Sequence, residues 1–165
     1  MTNSTHAYAA DPRNEAILID INGALYPRAE AKVSVFDSGF VLGDGVWEGL
    51  RVYPGPDGRG GIAFLDRHFR RLWDGAKTLD FEMGLTQAAL AQRLYACLDA
   101  NAAHEGVHIR LMVSRGVKST PYQDPRATIT PPTIVIIPEF KTPLAATATE
   151  GKRLFTVHVR RTSPD

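Results

Sequence analysis

The chain has 165 residues, 44% hydrophobic and 22% charged, an ordinary globular balance that suits one domain or slightly more with a real core. A formal net charge of +1 leaves no broad cationic footprint, so neither nucleic acid nor a membrane surface is an expected partner. The single cysteine, Cys97, rules out an internal disulfide, and without a signal-peptide core or a membrane-length apolar run the expected location is the cytoplasm.

Residues 1–15 are polar and small and read as a loose tail. EAILIDINGALYP follows as two short strands around Asn22-Gly23, the dipeptide best suited to a type I′ hairpin. KVSVFD is a brief extended piece that leads into a loop carrying Gly39, Gly43, Asp44 and Gly45. VWEGLRVY is the next strand, PGPDGRGG a turn, and GIAFLD a strand that pairs back.

The period then changes. Phe69, Leu72, Trp73, Ala76 and Leu79 recur at helical spacing, with Asp66 placed to cap the start. TQAALAQRLYACLDANA predicts a second helix, capped by Thr86, with Leu90, Leu94, Cys97 and Leu98 as its apolar stripe. On that stripe Cys97 reads as a buried, inert thiol. VHIRLMVSRG is a strand with Ile109, Leu111 and Val113 on its apolar face. KSTPYQDPRATITPP is a long proline-rich loop, and PTIVIIPEF and LFTVHVRR are two further strands. Strands, two central helices and more strands predict an α+β fold, with the helices packed on one side of a mixed or antiparallel sheet.

Alternation along VWEGLRVY puts Val46, Glu48, Leu50 and Val52 on one face and Trp47, Gly49, Arg51 and Tyr53 on the other. The second face sets a large ring, an empty position and a cation in a row. Such a gap in a strand marks close approach of something else, here a seat for a small anion, or alternatively a bulge in a twisted edge strand with a solvated Arg51. His108, Arg110, Met112 and Ser114 share one face of their strand, as do Thr156, His158 and Arg160 of theirs. Three strands that each bring a cation or imidazole to one side fit a cleft that collects positive charge for an anionic ligand.

Other motifs fail their context. GDGVWEG matches a glycine-rich dinucleotide fingerprint loosely, but the residues after its first glycines read as strand rather than helix. The five histidines lack paired ligand spacing, so no metal is expected. Arg71 offers a planar fork suited to phosphate oxygens, yet on pattern alone Arg67, Arg70 and Arg71 read as a solvated helix face.

DSGFVLGDGVWEGLRVY, FLDRHFRRLWDGAKTL, HIRLMVSRG and HVRRTSPD, in that order, resemble the class IV aminotransferases, the fold-type IV pyridoxal 5′-phosphate enzymes. The resemblance runs from about residue 16 to the end. It implies that residues 16–140 are the small N-terminal domain and that residues 141–165 are an interdomain connection with the first strand of a cofactor domain. It implies an amino group moved between a 2-oxo acid and a branched-chain L- or D-amino acid or an (R)-amine, by a homodimer. Alternatives are an aminodeoxychorismate lyase-like enzyme with the same cofactor, or a non-catalytic anion-binding domain.

Residue by residue, Arg71 in the H-x-x-R-L pattern of His68 to Leu72 matches the family arginine that holds the cofactor phosphate, reversing the reading from pattern alone. Trp47 and Gly49 match positions that line the substrate pocket. Arg51 matches the arginine of F-E-G-I-R in branched-chain enzymes, and His108 and Arg110 fall where those enzymes carry a Tyr and an Arg near the substrate. Leu42, Thr120 and Tyr122 are looser candidates for the pocket rim. Thr120 and Tyr122 also stand where standard D-amino acid transaminases grip the carboxylate with an Arg and a His, which leans the site toward the branched-chain type. The resemblance implies a Schiff-base lysine, and Lys32, Lys77, Lys118, Lys141 and Lys152 all lie in segments where the family has no catalytic residue. The catalytic residue is therefore unknown within the chain and expected beyond Asp165. The spatial expectation is that Trp47, Gly49 and Arg51 project into one cleft shared with the Arg71 clamp.

Overall fold

The computed structural model describes residues 10–56, 58–141, 151 and 154–159. The chain divides into two compact units, of which Ala10–Thr142 holds every helix and strand described below. Pro12–Glu15, expected within a loose tail, instead form a 3-10 turn. Its Asn14 is buried and exchanges two hydrogen bonds with the backbone of Phe140, which is what orders the segment.

β1 (Leu18–Ile21) and β2 (Ala24–Pro27) form the first hairpin. Asn22 and Gly23 both take positive φ, 53° and 90°, as a type I′ turn requires. α1 (Ser38–Leu42) occupies what the glycines suggested was a loop. Asp37 caps it by accepting from the Gly39 N–H at 2.9 Å, and Gly43 ends it in the left-handed region at φ 69°.

β3 (Gly45–Pro54) and β4 (Gly60–Ile62) form a second hairpin, paired only over Val52–Pro54. α2 (Leu65–Thr78) begins after Phe64, which takes φ 52° and supplies no side-chain cap. The expected cap, Asp66, lies inside the first turn, where its charge favours the helix dipole instead. Only Ala63 and Phe64 separate β4 from the helix, so the backbone turns in through Phe64. α3 (Gln87–Ala100) starts as expected, with Thr86 Oγ1 accepting from Ala89 N at 3.1 Å.

β5 (Val107–Ser114) and β6 (Thr133–Phe140) complete the sheet. Its strand order is β2-β1-β6-β5-β3-β4 and every pairing is antiparallel. The fold is thus α+β, with the sheet antiparallel rather than mixed. One core joins Phe69, Leu72 and Ala76 of α2 and Leu90, Leu94, Cys97 and Leu98 of α3 to Leu50, Val52, Ile109 and Leu111 of the sheet. A fully buried leucine or isoleucine such as Leu50 or Ile109 contributes roughly 1.5–3 kcal/mol. Cys97 lies in this core with its thiol pushed up to about 11 by burial, so it is inert.

The strand expected at LFTVHVRR is not formed over its described part. Residues 154–159 take neither helix nor strand and are exposed, because no neighbour pairs their backbone among the described residues. Arg160 lies outside the described residues. Among the described residues the cationic strand face comes from β3 and β5. No helix among the described residues is long and apolar enough to cross a membrane.

Candidate functional site

The alternation of β3 holds: Glu48, Leu50 and Val52 are buried on the helix side, while Trp47 and Tyr53 are exposed on the other. Residues directly opposite in an antiparallel pair share a face, so the register carries the pattern across the sheet. Trp47 faces Met112, Gly49 faces Arg110 and Arg51 faces His108. His108 in turn faces Glu139 on β6, and Arg110 faces Ile137. This open face is where Trp47, Gly49, Arg51, His108 and Arg110 meet.

The gap at Gly49 is already filled. A Cβ there would stand 2.9 Å from His108 Nε2 and 3.8 Å from Trp47 Cζ3, so the imidazole lies over the bare α-carbon. The expected seat at Gly49 is thus occupied by the His108 ring, and the open space on this face lies beside it, toward β6. There a hollow of about 350 Å³ is lined by Arg28, His108, Arg110, Ile137, Glu139 and Lys141. Burial, with Arg51, Lys141 and Arg110 nearby, holds His108 below the ordinary histidine range against the opposing pull of Glu139. The Arg110 guanidinium stacks 4.6 Å from the Trp47 ring centroid, and Arg51 donates from Nη1 to the Lys141 carbonyl at 3.0 Å.

A second hollow of about 330 Å³ adjoins Trp47 on the same face and is mainly apolar, with Val33, Phe40, Met112 and Val135 in its wall. Leu42, Thr120 and Tyr122 line neither hollow. Leu42 is exposed at the end of α1, and Thr120 and Tyr122 are exposed on the loop between β5 and β6. The same loop carries the fully buried Lys118, whose Nζ donates to the Asp124 carbonyl at 2.9 Å.

Arg71 lies on the other side of the sheet. Glu48, 2% exposed, accepts from Arg71 Nε at 2.7 Å on Oε1, and from Arg71 Nη2 and His68 Nδ1 on Oε2. Burial pushes the Glu48 carboxyl up, but the hydrogen bonds and charges of Arg71 and His68 outweigh it and leave it below the usual carboxylate range. The expectation that Arg71 and Arg51 open into one cleft is corrected: Arg51 extends from the open face of β3 and Arg71 comes from α2 on its other face, because α2 packs on the Glu48 side. Gly75 permits that packing, since a Cβ there would stand 3.0 Å from Val46 Cγ1. The Arg71 side chain is nonetheless 71% exposed, and its Nη1 has no hydrogen-bond partner among the described residues. Beyond the short pairing with β4, β3 from Gly45 to Leu50 has a strand neighbour only on the β5 side among the described residues. One ligand can reach both faces only around that edge.

Sequence reasoning missed Arg28, Glu139 and Lys141, which join the site through register and hairpin geometry. It placed Glu48 on one face with Val46, Leu50 and Val52 and gave it no role. The signal was present, because a carboxylate on a buried face requires a cation.

The model of the amino-transferase class IV family matches residues 45–165. The branched-chain-amino-acid aminotransferase-like protein 1 of Arabidopsis thaliana is 36% identical over 154 residues, covering 93% of this chain and 27% of that protein. A putative branched-chain-amino-acid aminotransferase of Methanocaldococcus jannaschii is 38% identical, covering 89% of this chain and 48% of the relative. Among solved structures, a branched-chain amino acid aminotransferase complexed with N-(5′-phosphopyridoxyl)-L-glutamate is similar with a TM-score of 0.66 and 27% identity. That likeness covers 75% of this chain and 41% of the other. The chain thus spans a quarter to a half of the length of these proteins.

Proposed function

We propose that this chain, which belongs to the class IV aminotransferase family, supplies the phosphate anchor and the substrate wall of a pyridoxal 5′-phosphate enzyme that moves an amino group between an amino acid and a 2-oxo acid. The observation that carries this reading is Arg71: one edge of its guanidinium is tied to buried Glu48 and the Nη1 edge is turned to solvent. A fork with one side fixed and one side open suits a phosphate group, so the residues present fit the cofactor. When bound, the cofactor supplies a reactive aldehyde carbon and a ring that withdraws electrons from the substrate α-carbon.

The chain's own residues divide the remaining work. Arg71 binds the phosphate from the helix side of β3. Trp47 walls the substrate side, and it holds Arg110 with its donors ready for a carboxylate. His108 and Gly49 together set how deep a side chain can enter, and Arg51, held by the Lys141 carbonyl, adds fixed positive charge. Leu42, Thr120 and Tyr122 would enter only as an outer rim, since they are exposed away from both hollows. Branched-chain amino acids are the proposed donors, supported by the names of the similar proteins and by the apolar hollow beside Trp47. Homodimer formation is supported by exposed Val35 and Phe36 just before α1 and exposed Phe40 on it. A cytoplasmic location is supported by a lone cysteine.

The test is a cofactor titration of the whole protein, followed by a screen of L-amino acids, D-amino acids and (R)-amines with 2-oxo acid acceptors. Cofactor binding with amino transfer from branched-chain donors is the expected result. Elimination from an aminodeoxychorismate substrate without transfer would favour a lyase, and no cofactor binding at all would leave an anion-binding domain. Arg71→Ala should weaken cofactor retention severely; unchanged affinity removes Arg71 from the site.

A further inference from the structure

We propose that Glu48 is a positioning residue for the phosphate end of the cofactor, acting through Arg71 and His68; this rests on the reading of Arg71 as the phosphate anchor. A carboxylate on the core face of a strand is costly unless fully paired, and Val46, Leu50 and Val52 on that face are all apolar. Both Glu48 oxygens are engaged, Oε1 by Arg71 Nε and Oε2 by Arg71 Nη2 and His68 Nδ1. An ionised carboxylate only accepts, so the His68 Nδ1 carries the hydrogen and the tautomer is fixed. A long surface arginine normally has many rotamers to lose when it grips an anion. The bidentate hold from beneath removes that loss in advance and aims the Nη1 edge outward. Glu48 never needs to touch the ligand. Its partners come from one helix, at positions 68 and 71, three residues apart and so on the same face.

A purely structural role, fastening α2 to β3, makes a different forecast, and the two separate in one experiment. The whole protein as wild type, Glu48→Gln, Glu48→Asp and Arg71→Ala is titrated with pyridoxal 5′-phosphate and with pyridoxal, which lacks the phosphate. Loss of a bidentate charged hold should weaken binding of the phosphorylated form roughly 10- to 100-fold in Glu48→Gln and leave pyridoxal unchanged, with Glu48→Asp between. Equal weakening of both forms, or wild-type binding of both, overturns the proposal. Should Glu48→Gln fail to fold, Arg71→Lys keeps the charge but cannot be held on two sides. It should lose the same selectivity for the phosphorylated form, and wild-type selectivity there overturns the positioning role. Arg71→Ala without effect removes the phosphate-anchor reading and this proposal together. An effect of Arg71→Ala beside an unaffected Glu48→Gln removes only the positioning role.

Discussion

The imidazole of His108 lies over the α-carbon of Gly49, so close that a Cβ on residue 49 would come within 2.9 Å of Nε2. Gly49 has no positive φ, so its backbone accepts alanine and the side chain of His108 is the obstacle. Gly49→Ala gains about 0.5–1 kcal/mol from a stiffer unfolded chain and loses about as much by forcing His108 off its rotamer. Alone it should be nearly neutral. In a His108→Ala background the same change should stabilise by about 0.5–1 kcal/mol. Denaturant melts of the four proteins measure this coupling, and additive effects would mean that the ring does not cover residue 49 in solution.

His108 also gives a signed pH dependence. Its pKa in the fold is lowered, first by burial and then by Arg51, Lys141 and Arg110. The unfolded chain therefore takes up a proton near the ordinary value of about 6.5, before the folded chain does. The contribution of His108 is fully present above that value and is lost as pH falls through it toward the lowered folded value. Melting temperature should drop more steeply for wild type than for His108→Gln as pH falls below about 6.5. Parallel curves for the two proteins would contradict the shift.

These two cases show what alternation could and could not deliver. Period-2 spacing in VWEGLRVY sorted Trp47, Gly49 and Arg51 from Glu48 and Leu50, because one face of an antiparallel strand packs on helices and the other does not. The Asn22-Gly23 turn and the Thr86 cap were legible because each depends on chemistry within a few residues. The filling of the Gly49 gap was not legible, since it depends on the register of β3 against β5. Register likewise brings in Glu139 and Lys141.

The errors have physical causes too. Gly39 and Gly43 looked like breakers, but Asp37 and Gly43 cap the two ends of α1. The strand expected at LFTVHVRR has the right composition, yet residues 154–159 lack a partner strand among the described residues. Arg71 and Arg51 could not be assigned to faces before α2 was known to pack against Glu48.

Lys118 tests whether burial or charge holds the β5–β6 loop. Its side chain is enclosed and its ammonium donates to the carbonyl of Asp124, whose own carboxyl is held at about 2 chiefly by Arg126. Lys118→Met keeps the stem and drops a buried charge, so it should melt at or above wild type. Lys118→Ala leaves a cavity and should lose about 2 kcal/mol or more. Equal losses in the two variants would show that the ammonium, rather than the stem, fixes the loop.

Trp47 and Arg110 make the last pair. Trp47 is 59% exposed and the guanidinium stacks 4.6 Å from its ring centroid, so much of the contact is wet and its worth is about 0.5–1 kcal/mol. A double-mutant cycle with Trp47→Ala and Arg110→Met should return a coupling of that size in chemical denaturation, and Trp47→Phe should keep most of it. The functional consequence follows from the same stacking. An arginine no longer held against a ring spreads over its rotamers, so Trp47→Ala should weaken binding of a carboxylate ligand nearly as much as Arg110→Met, with the double variant little worse than either. Additive losses in ligand binding would mean that Trp47 does not act through the cation it carries.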